Sequence, residues 1–535
     1  MAEVTDNASF EEIISEAGEG TASPPPPHQS LAGRVLNRPL ITFSSMAATI
    51  MQALDSTIAN VALPRMQGSL SATQDQMSWV LTSYIIAAAI MIPLTGWLAG
   101  RFGRKKVFLI SVVGFTVSSA LCGIASSLPE IVVFRLLQGM SGAALVPLSQ
   151  ALLFDINPPE NHGRAMAMWG VGVTLGPVLG PLLGGWLTEH YSWNWVFFIN
   201  VPIGIIAFFG LSASMPETKP HNQPFDFMGF ISLSLFMGAL QLCLDRGELK
   251  DWFSSPEIMI EALVSFTALY IFLVHSLTHR HPFVSLKLFA DSNFLTANAF
   301  IFLIGAVLFA TLALVPPMLQ NDMNYPVMMS GIVTAPRGAG TMLSMMVVGR
   351  LIGRYDPRLI IATGLGLMTF SLWQMMDFNL LMNQNLIVVS GILQGFGIGL
   401  AYVPVSTVAF ATLDPALRNE GTAFFNLQRN IGSAIGISIV QTLLTRNTQF
   451  MHERLGEHIT PWHTGIPLYG QTGIDTQQTM NLLMLNQQIT RQASIMAYLD
   501  DYKLMMILTL VLIPLLVIIK PPARRHSPAE PAVME

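Results

Sequence analysis

Apolar and polar residues in this chain are segregated into long blocks. Apolar runs of roughly 18 to 26 residues, about what a helix needs to cross a hydrocarbon layer, alternate with short polar joints. A helix or strand in a soluble core rarely runs that far without a charge. The blocks predict about fourteen helices, near 38–63, 77–100, 106–126, 130–153, 164–187, 195–214, 226–245, 256–276, 294–319, 328–351, 358–376, 385–411, 421–445 and 503–520. Between the last two lies 446–502, a long polar stretch. The pattern specifies an all-α membrane protein.

Composition agrees: 52% of the 535 residues are hydrophobic and 11% charged, against about a quarter charged in soluble proteins. A net charge of −5 gives no argument for nucleic acid, and Cys122 and Cys243 both fall inside apolar blocks, which excludes a disulfide framework. Residues 1–37, acidic and rich in Ser, Pro and Gly, read as a disordered cytoplasmic tail. With the N-terminus inside, the short inner loops collect Arg101, Arg104, Lys105, Lys106, Arg350, Arg354 and Arg358. Most of the outer Lys and Arg fall in the single long loop, where charge bias counts least. Both termini are therefore expected in the cytoplasm of a bacterial inner-membrane protein.

The chain also repeats itself. Leu137-Gln138-Gly139 leads into Leu145-Val146-Pro147-Leu148-Ser149, as Leu393-Gln394-Gly395 leads into Tyr402-Val403-Pro404-Val405-Ser406. The loop from Gly96 to Arg104 is echoed from Gly349 to Arg358. The offsets, 256 residues from Gln138 to Gln394 and 253 from Gly96 to Gly349, agree with one duplication. Repeated membrane halves suit alternating access about a midplane site. The expected organisation is a six-helix bundle over 38–214, two inserted helices with linkers over 215–290, a second six-helix bundle over 291–520 and a cytoplasmic tail at 521–535.

Four charges lie inside apolar spans: Asp55, Arg135, Arg337 and Arg429. A charge at the bilayer centre costs at least about 2.5–3.5 kcal/mol, so it faces a wet cavity or a partner. Asp55 and Arg135 differ in expected depth by only a few ångströms, and the repeat puts Gly391 where the first half has Arg135. A carboxylate that gains and loses a proton as its surroundings change is the simplest proton carrier. Asp55 is therefore read as the proton site and Arg135 as the group that tunes it, a static ion pair being the alternative. Pro336 frees a backbone carbonyl that Arg337 can hydrogen-bond, and either Arg337 or Arg429 can instead bind an anionic substrate group or brace the cytoplasmic gate; the structural and functional readings stand equally open. Gly172, Gly176, Gly180 and Gly184 recur every four residues, interleaved with Pro177 and Pro181, and put small residues on one helix face. No glycine-rich phosphate loop with its lysine is present, so ATP is not expected as the energy source. The histidines lie mostly in loops, His279 and His281 among them, and none is expected to pair at ligand spacing on a helix. No metal or other cofactor is expected; the proton gradient supplies the energy.

These pieces together resemble the major facilitator superfamily, and within it the fourteen-helix drug:proton antiporters of the EmrB/QacA family. Leu54-Asp55-Ser56-Thr57-Ile58-Ala59-Asn60-Val61-Ala62-Leu63-Pro64 is similar to the family's acidic first-helix motif. Arg135-Leu136-Leu137-Gln138-Gly139 resembles its proton-transfer motif, and Gly172 through Gly185 its antiporter motif. The resemblance covers about 38–520 and implies two pseudo-symmetric six-helix bundles plus two inserted helices. It also implies proton-coupled export of drug-like amphipathic compounds. Asn60, Gln138, Arg337, Gln394, Asn426 and Arg429 are its candidates for substrate cavity or gating, and Gly96, Arg101, Gly103 and Arg104 for the cytoplasmic gate loop. The family's gate aspartate is replaced by Gly100, which puts an acidic latch at that place in doubt. The end of the long loop, Asn486 to Tyr498, is similar to the corresponding family segment. It implies a periplasmic adaptor of the membrane-fusion (EmrA-like) type and an outer-membrane (TolC-like) channel as partners. The polar loop is also unusually long for a simple connection, and a cap packing on its own transporter is the alternative for it.

Export of one metabolite, such as a fatty acid or siderophore, remains the alternative function. A membrane enzyme or sensor is disfavoured by the two-fold repeat and the lack of a catalytic cluster.

Overall fold

The structure, a computed structural model, describes residues 37–218, 224–280, 282–457 and 479–519. The tails expected at 1–37 (Asn37 apart) and 521–535, His281 and the centre of the long loop lie outside the described residues. Among the described residues the chain is helical without a strand. The first half holds α1 (Arg38–Ser69), α2 (Gln74–Met91), α3 (Leu94–Phe102), α4 (Arg104–Ile124), α5 (Leu128–Gly142), α6 (Leu145–Ile156), α7 (His162–His190), α8 (Trp195–Phe198) and α9 (Asn200–Ser214). A hairpin of α10 (Phe227–Arg246) and α11 (Pro256–Thr278) follows. The second half holds α12 (Lys287–Ala290), α13 (Ser292–Pro317), α14 (Val327–Leu351), α15 (Pro357–Met375), α16 (Gln384–Ala411), α17 (Arg418–Glu457) and α18 (Thr479–Leu512).

Each expected apolar block coincides with helix, and among the described residues eight helical segments are long and apolar enough to cross a membrane, nine if the bent α2–α3 pair counts as one span. Three blocks expected as single helices are broken; the one at 195–214 divides at Ile199 into α8 and α9. The block at 77–100 bends by 55° between α2 and α3, where Pro93 has no N–H to continue the ladder. The block at 130–153 breaks between Gly142 and Leu145, four residues ahead of Pro147. The polar stretch after 445 also differs from expectation. It is no irregular loop at its ends: α17 continues to Glu457, 40 residues in all, and α18 starts at Thr479. At about 1.5 Å per residue α17 is some 60 Å long, about twice a bilayer's hydrocarbon thickness. The two extensions pair, His452 meeting Asn486 at 2.9 Å.

Helix pairing repeats between the halves. α1 packs on α7 as α13 packs on α17, α2 on α5 as α14 on α16, and α4 on α5 as α15 on α16. Each echoed loop also turns at a glycine in a conformation that side chains rarely adopt, Gly103 (φ +89°) in the first half and Gly353 (φ +92°) in the second, although the two are not at equivalent places of the repeat. The halves meet chiefly along α7 and α14. The α10–α11 hairpin lies outside, α10 resting on α2 and α17.

The four-residue glycine spacing of α7 faces α1. Gly172 meets Met46 and Ile50, Gly176 the backbone of Ala53, Gly180 Thr57, and Gly184 Ile58 and Val61. The approach is close enough for the Thr57 hydroxyl to donate to the Gly176 carbonyl at 3.1 Å. This seam fixes the height and rotation of α1, and with them the position of Asp55. A methyl group at Gly176 would sit 2.3 Å from the Ala53 carbonyl carbon, whereas at Gly185 it would meet nothing within 4 Å. Gly176→Ala should therefore cost about 1–3 kcal/mol through overpacking, seen as a lower melting temperature in detergent. Gly185→Ala should leave the melting temperature unchanged or slightly raised.

Candidate functional site

The first half encloses a polar centre in an otherwise apolar bundle. Asp55 on α1 is 0% exposed and Arg135 on α5 is 1% exposed. Arg135 donates from one terminal guanidinium nitrogen to Asp55 Oδ2 at 2.7 Å and to Gln138 Oε1 at 2.9 Å, and from Nε to the Val80 carbonyl at 3.1 Å. Asp55 Oδ1 accepts from Gln138 Nε2 at 2.8 Å and Asn200 Nδ2 at 3.0 Å. The guanidinium lies 4.3 Å from the centre of the Tyr84 ring and 5.7 Å from that of Phe197, near enough for cation–π attraction. Asn200 is steadied through its second bond, to the Ser119 hydroxyl, which in turn donates to the Phe197 carbonyl. The centre therefore draws on α1, α2, α4, α5, α8 and α9.

An ion pair removed this far from water needs every remaining donor and acceptor matched. Here three donors reach the carboxylate and three acceptors reach the arginine. The sequence brought Asp55 and Arg135 to similar depth, and the structure puts them in contact. Gln138, expected to serve the substrate cavity or gate, bridges both members of the pair. Asn200, Ser119 and Tyr84 were not anticipated. The available signal was Asn200 itself, an amide in an apolar run of the kind that needs a partner in a membrane.

The second half has a neutral counterpart. Gln394, the repeat equivalent of Gln138, donates to the Thr311 hydroxyl at 3.1 Å. Gly391 and Gly395 leave room there for Arg337 of α14, whose Cβ would stand 3.5 Å from a methyl group on Gly391. Arg337 is buried and donates to the Leu308 carbonyl at 3.1 Å, so a backbone oxygen on the neighbouring helix meets its charge. In the same half Asp501 of α18 is 0% exposed, and neither of its carboxyl oxygens is hydrogen-bonded among the described residues.

Asn426 and Arg429 lie where the halves meet. Asn426 donates to Gln150 of α6 at 2.9 Å. Arg429 approaches the Tyr402 hydroxyl at 3.4 Å, and the Tyr402 ring stacks on Trp169 across the interface. Asn60 is exposed.

At the end of the bundle carrying the glycine turns, Asp155 accepts from Arg104 at 2.5 Å and from Arg418 of the second half at 3.0 Å. Gly100 provides no carboxylate to the gate loop; Asp155, from the end of α6, is the acid that crosses between the halves. Gly96 lets α3 approach α17 so closely that a methyl group there would stand 3.0 Å from Glu420 Cα. Gly103 packs on Thr218, whose hydroxyl accepts from the Arg104 N–H at 2.8 Å, while Arg101 points into the surroundings. The histidine expectation is corrected as well. His275 stands in the last turn of α11 and His279 caps it, four residues on, and their rings stack with centroids 4.7 Å apart.

Residues 45–437 match the Major Facilitator Superfamily. The chain belongs to that superfamily of membrane transporters. It is 36% identical to the fatty acid resistance protein FarB of Neisseria gonorrhoeae, covering 90% of this chain and 96% of FarB. It is 35% identical to the multidrug export protein EmrB of Haemophilus influenzae (85% and 90%) and 34% identical to EmrB of Escherichia coli (90% and 95%). Among solved structures, the human organic anion transporter MFSD10 matches with a TM-score of 0.58 at 14% identity, over 92% of this chain and all of that one. The proton:xylose symporter XylE matches at 0.55 and 13%, over 87% and 95%. Both carry the major facilitator fold, and so does this multi-pass chain.

Removing one partner of a buried ion pair leaves the other charge unmatched, at a cost of about 3–5 kcal/mol. Arg135→Met should lower the melting temperature in detergent at neutral pH. The double variant Asp55→Asn/Arg135→Met, which removes both charges, should recover most of that loss.

Proposed function

We propose that this chain is a proton-coupled antiporter exporting drug-like hydrophobic and amphipathic compounds across a bacterial inner membrane. The observation that carries the reading is Asp55, a fully buried carboxylate paired with Arg135 and further held by Gln138 and Asn200. Relatives named as multidrug export proteins support it. In this mechanism a proton reaching Asp55 cancels the charge that Arg135 faces and frees the guanidinium to change partners. The α1 backbone carries that change along the glycine seam to α7, which packs against α14 of the second half. Loss of the proton restores the pair. The Asp155 bridge to Arg104 and Arg418 closes one end between turnovers, and charge bias makes that end cytoplasmic. The helical extensions of α17 and α18 then project into the periplasm, where they offer a docking surface to a membrane-fusion adaptor leading to an outer-membrane channel.

A second reading has an observation of its own. Arg337, a buried cation whose hydrogen-bond partner among the described residues is a backbone carbonyl, suits a substrate carboxylate, and the relative FarB is named for fatty acid resistance. Competition by a narrow series of long-chain carboxylates, lost in Arg337→Gln, would favour it over broad drug export.

The test is transport in proteoliposomes under an imposed proton gradient, using a fluorescent lipophilic cation. The native chain should drive export, and Asp55→Asn should abolish it while retaining substrate binding. Undiminished gradient-driven transport by Asp55→Asn would overturn the proposal.

A further inference from the structure

The α10–α11 hairpin carries a cluster that the transport mechanism does not use. Asp226 caps the N-terminus of α10, His275 lies in the last turn of α11, and His279 ends that helix. His275 Nε2 is 2.8 Å from Asp226 Oδ1, and the available ligand atoms of Asp226, His275 and His279 all lie within 4.8 Å of one another. We propose that these three residues form a binding site for a divalent transition-metal ion of the Zn2+ class.

The donor set fits that class. Two imidazoles and one carboxylate suit borderline ions such as Zn2+, Co2+ and Ni2+, and leave one or more positions for water. Metal–ligand distances of about 2.0–2.2 Å place tetrahedral ligand atoms about 3.4 Å apart. The 2.8 Å contact needs to open slightly and the wider one to close, both within reach of side-chain rotation. The carboxylate is already aimed: Oδ1 accepts the Gly229 N–H and Oδ2 the Phe283 N–H, each at 3.0 Å. Burial opposes its ionisation, but the Gly229 N–H, His275 and the Phe283 N–H outweigh burial and hold the carboxyl below its usual range. Backbone bonds of this sort orient a metal ligand. The histidines stand at the C-terminal end of α11, where the helix dipole favours a cation. His279 is exposed and gives an ion a way in, while Asp226 is buried beneath it.

The position gives such an ion structural leverage. Asp226 ties α10 to Phe283, in the segment after α11. Two residues on, the Ser285 N–H donates to Glu420 at the start of α17, where Gly96 packs. An ion clamping Asp226 to both histidines would stiffen the hairpin against the end of the bundle that Asp155 closes. Because it binds the folded chain, it would also raise the melting temperature in proportion to its saturation.

The experiment uses the full chain without an affinity tag, purified in detergent. Zn2+ is titrated in competition with a fluorescent chelator, and Co2+ serves as the spectroscopic probe. The expected result is one Zn2+ per chain at micromolar affinity or tighter, with Co2+ absorption bands of a four- or five-coordinate site. His279→Ala, an exposed change the fold tolerates, should weaken binding by at least about tenfold, and His275→Ala likewise. His452→Ala, at the far extension, should bind as the native chain does. Absence of Zn2+ binding up to the millimolar range would overturn the site, as would native affinity in both His275→Ala and His279→Ala. Neither result bears on proton coupling.

Discussion

One carboxylate–guanidinium contact sets the terms for the rest of the molecule. Asp55 and Arg135 are sealed from solvent inside a bundle built mainly of apolar side chains. Charges so placed persist only where partners are complete, and six helices of the first half are committed to completing them. The glycine face of α7 places α1, the aromatic faces of Tyr84 and Phe197 cover the guanidinium, and Asn200 and Gln138 occupy the second carboxylate oxygen. The proposed mechanism gives this centre two arrangements, with and without a proton. In the proposed mechanism the switch between them moves the bundle.

The two halves share helix pairings and their glycine turns, yet they have diverged where the chemistry lies. Gln138 serves a carboxylate, whereas its counterpart Gln394 serves a threonine. Arg135 comes from α5, whereas the arginine of the second half comes from α14 and fills the space that Gly391 leaves. The fold thus gives one half a fully matched ion pair and the other a cation held by a backbone oxygen. In the proposed mechanism that asymmetry separates the tasks of the halves, with proton handling assigned to the half that holds the ion pair.

Most of the fold was legible because a membrane leaves a chain few options. A backbone in lipid must satisfy its own hydrogen bonds, so apolar blocks translate into helices almost one for one. The misreadings were local. Pro93 and Pro147 break helices that hydropathy alone draws as continuous, and the polar stretch after 445 keeps its helices because α17 and α18 support each other. At the site, Asp55 and Arg135 stood out because charge is rare in apolar runs, whereas Asn200, Ser119 and Tyr84 did not. Neutral polar residues occur in many spans, and only packing shows which of them aim at a carboxylate. Asp155, Asp226 and Asp501 escaped notice for another reason: each sits at the margin of a block, where a charge is ordinary. Their partners, or lack of them, are set by helices distant in sequence.

The account turns on whether substrate binding and the protonation of Asp55 are linked. The most direct measurement is proton release on adding substrate to the purified chain in weakly buffered detergent solution, followed with a pH indicator. The account predicts release from the native chain and none from Asp55→Asn under conditions where both bind substrate. Equal release from the two, or none from either at any pH at which the native chain transports, would contradict it.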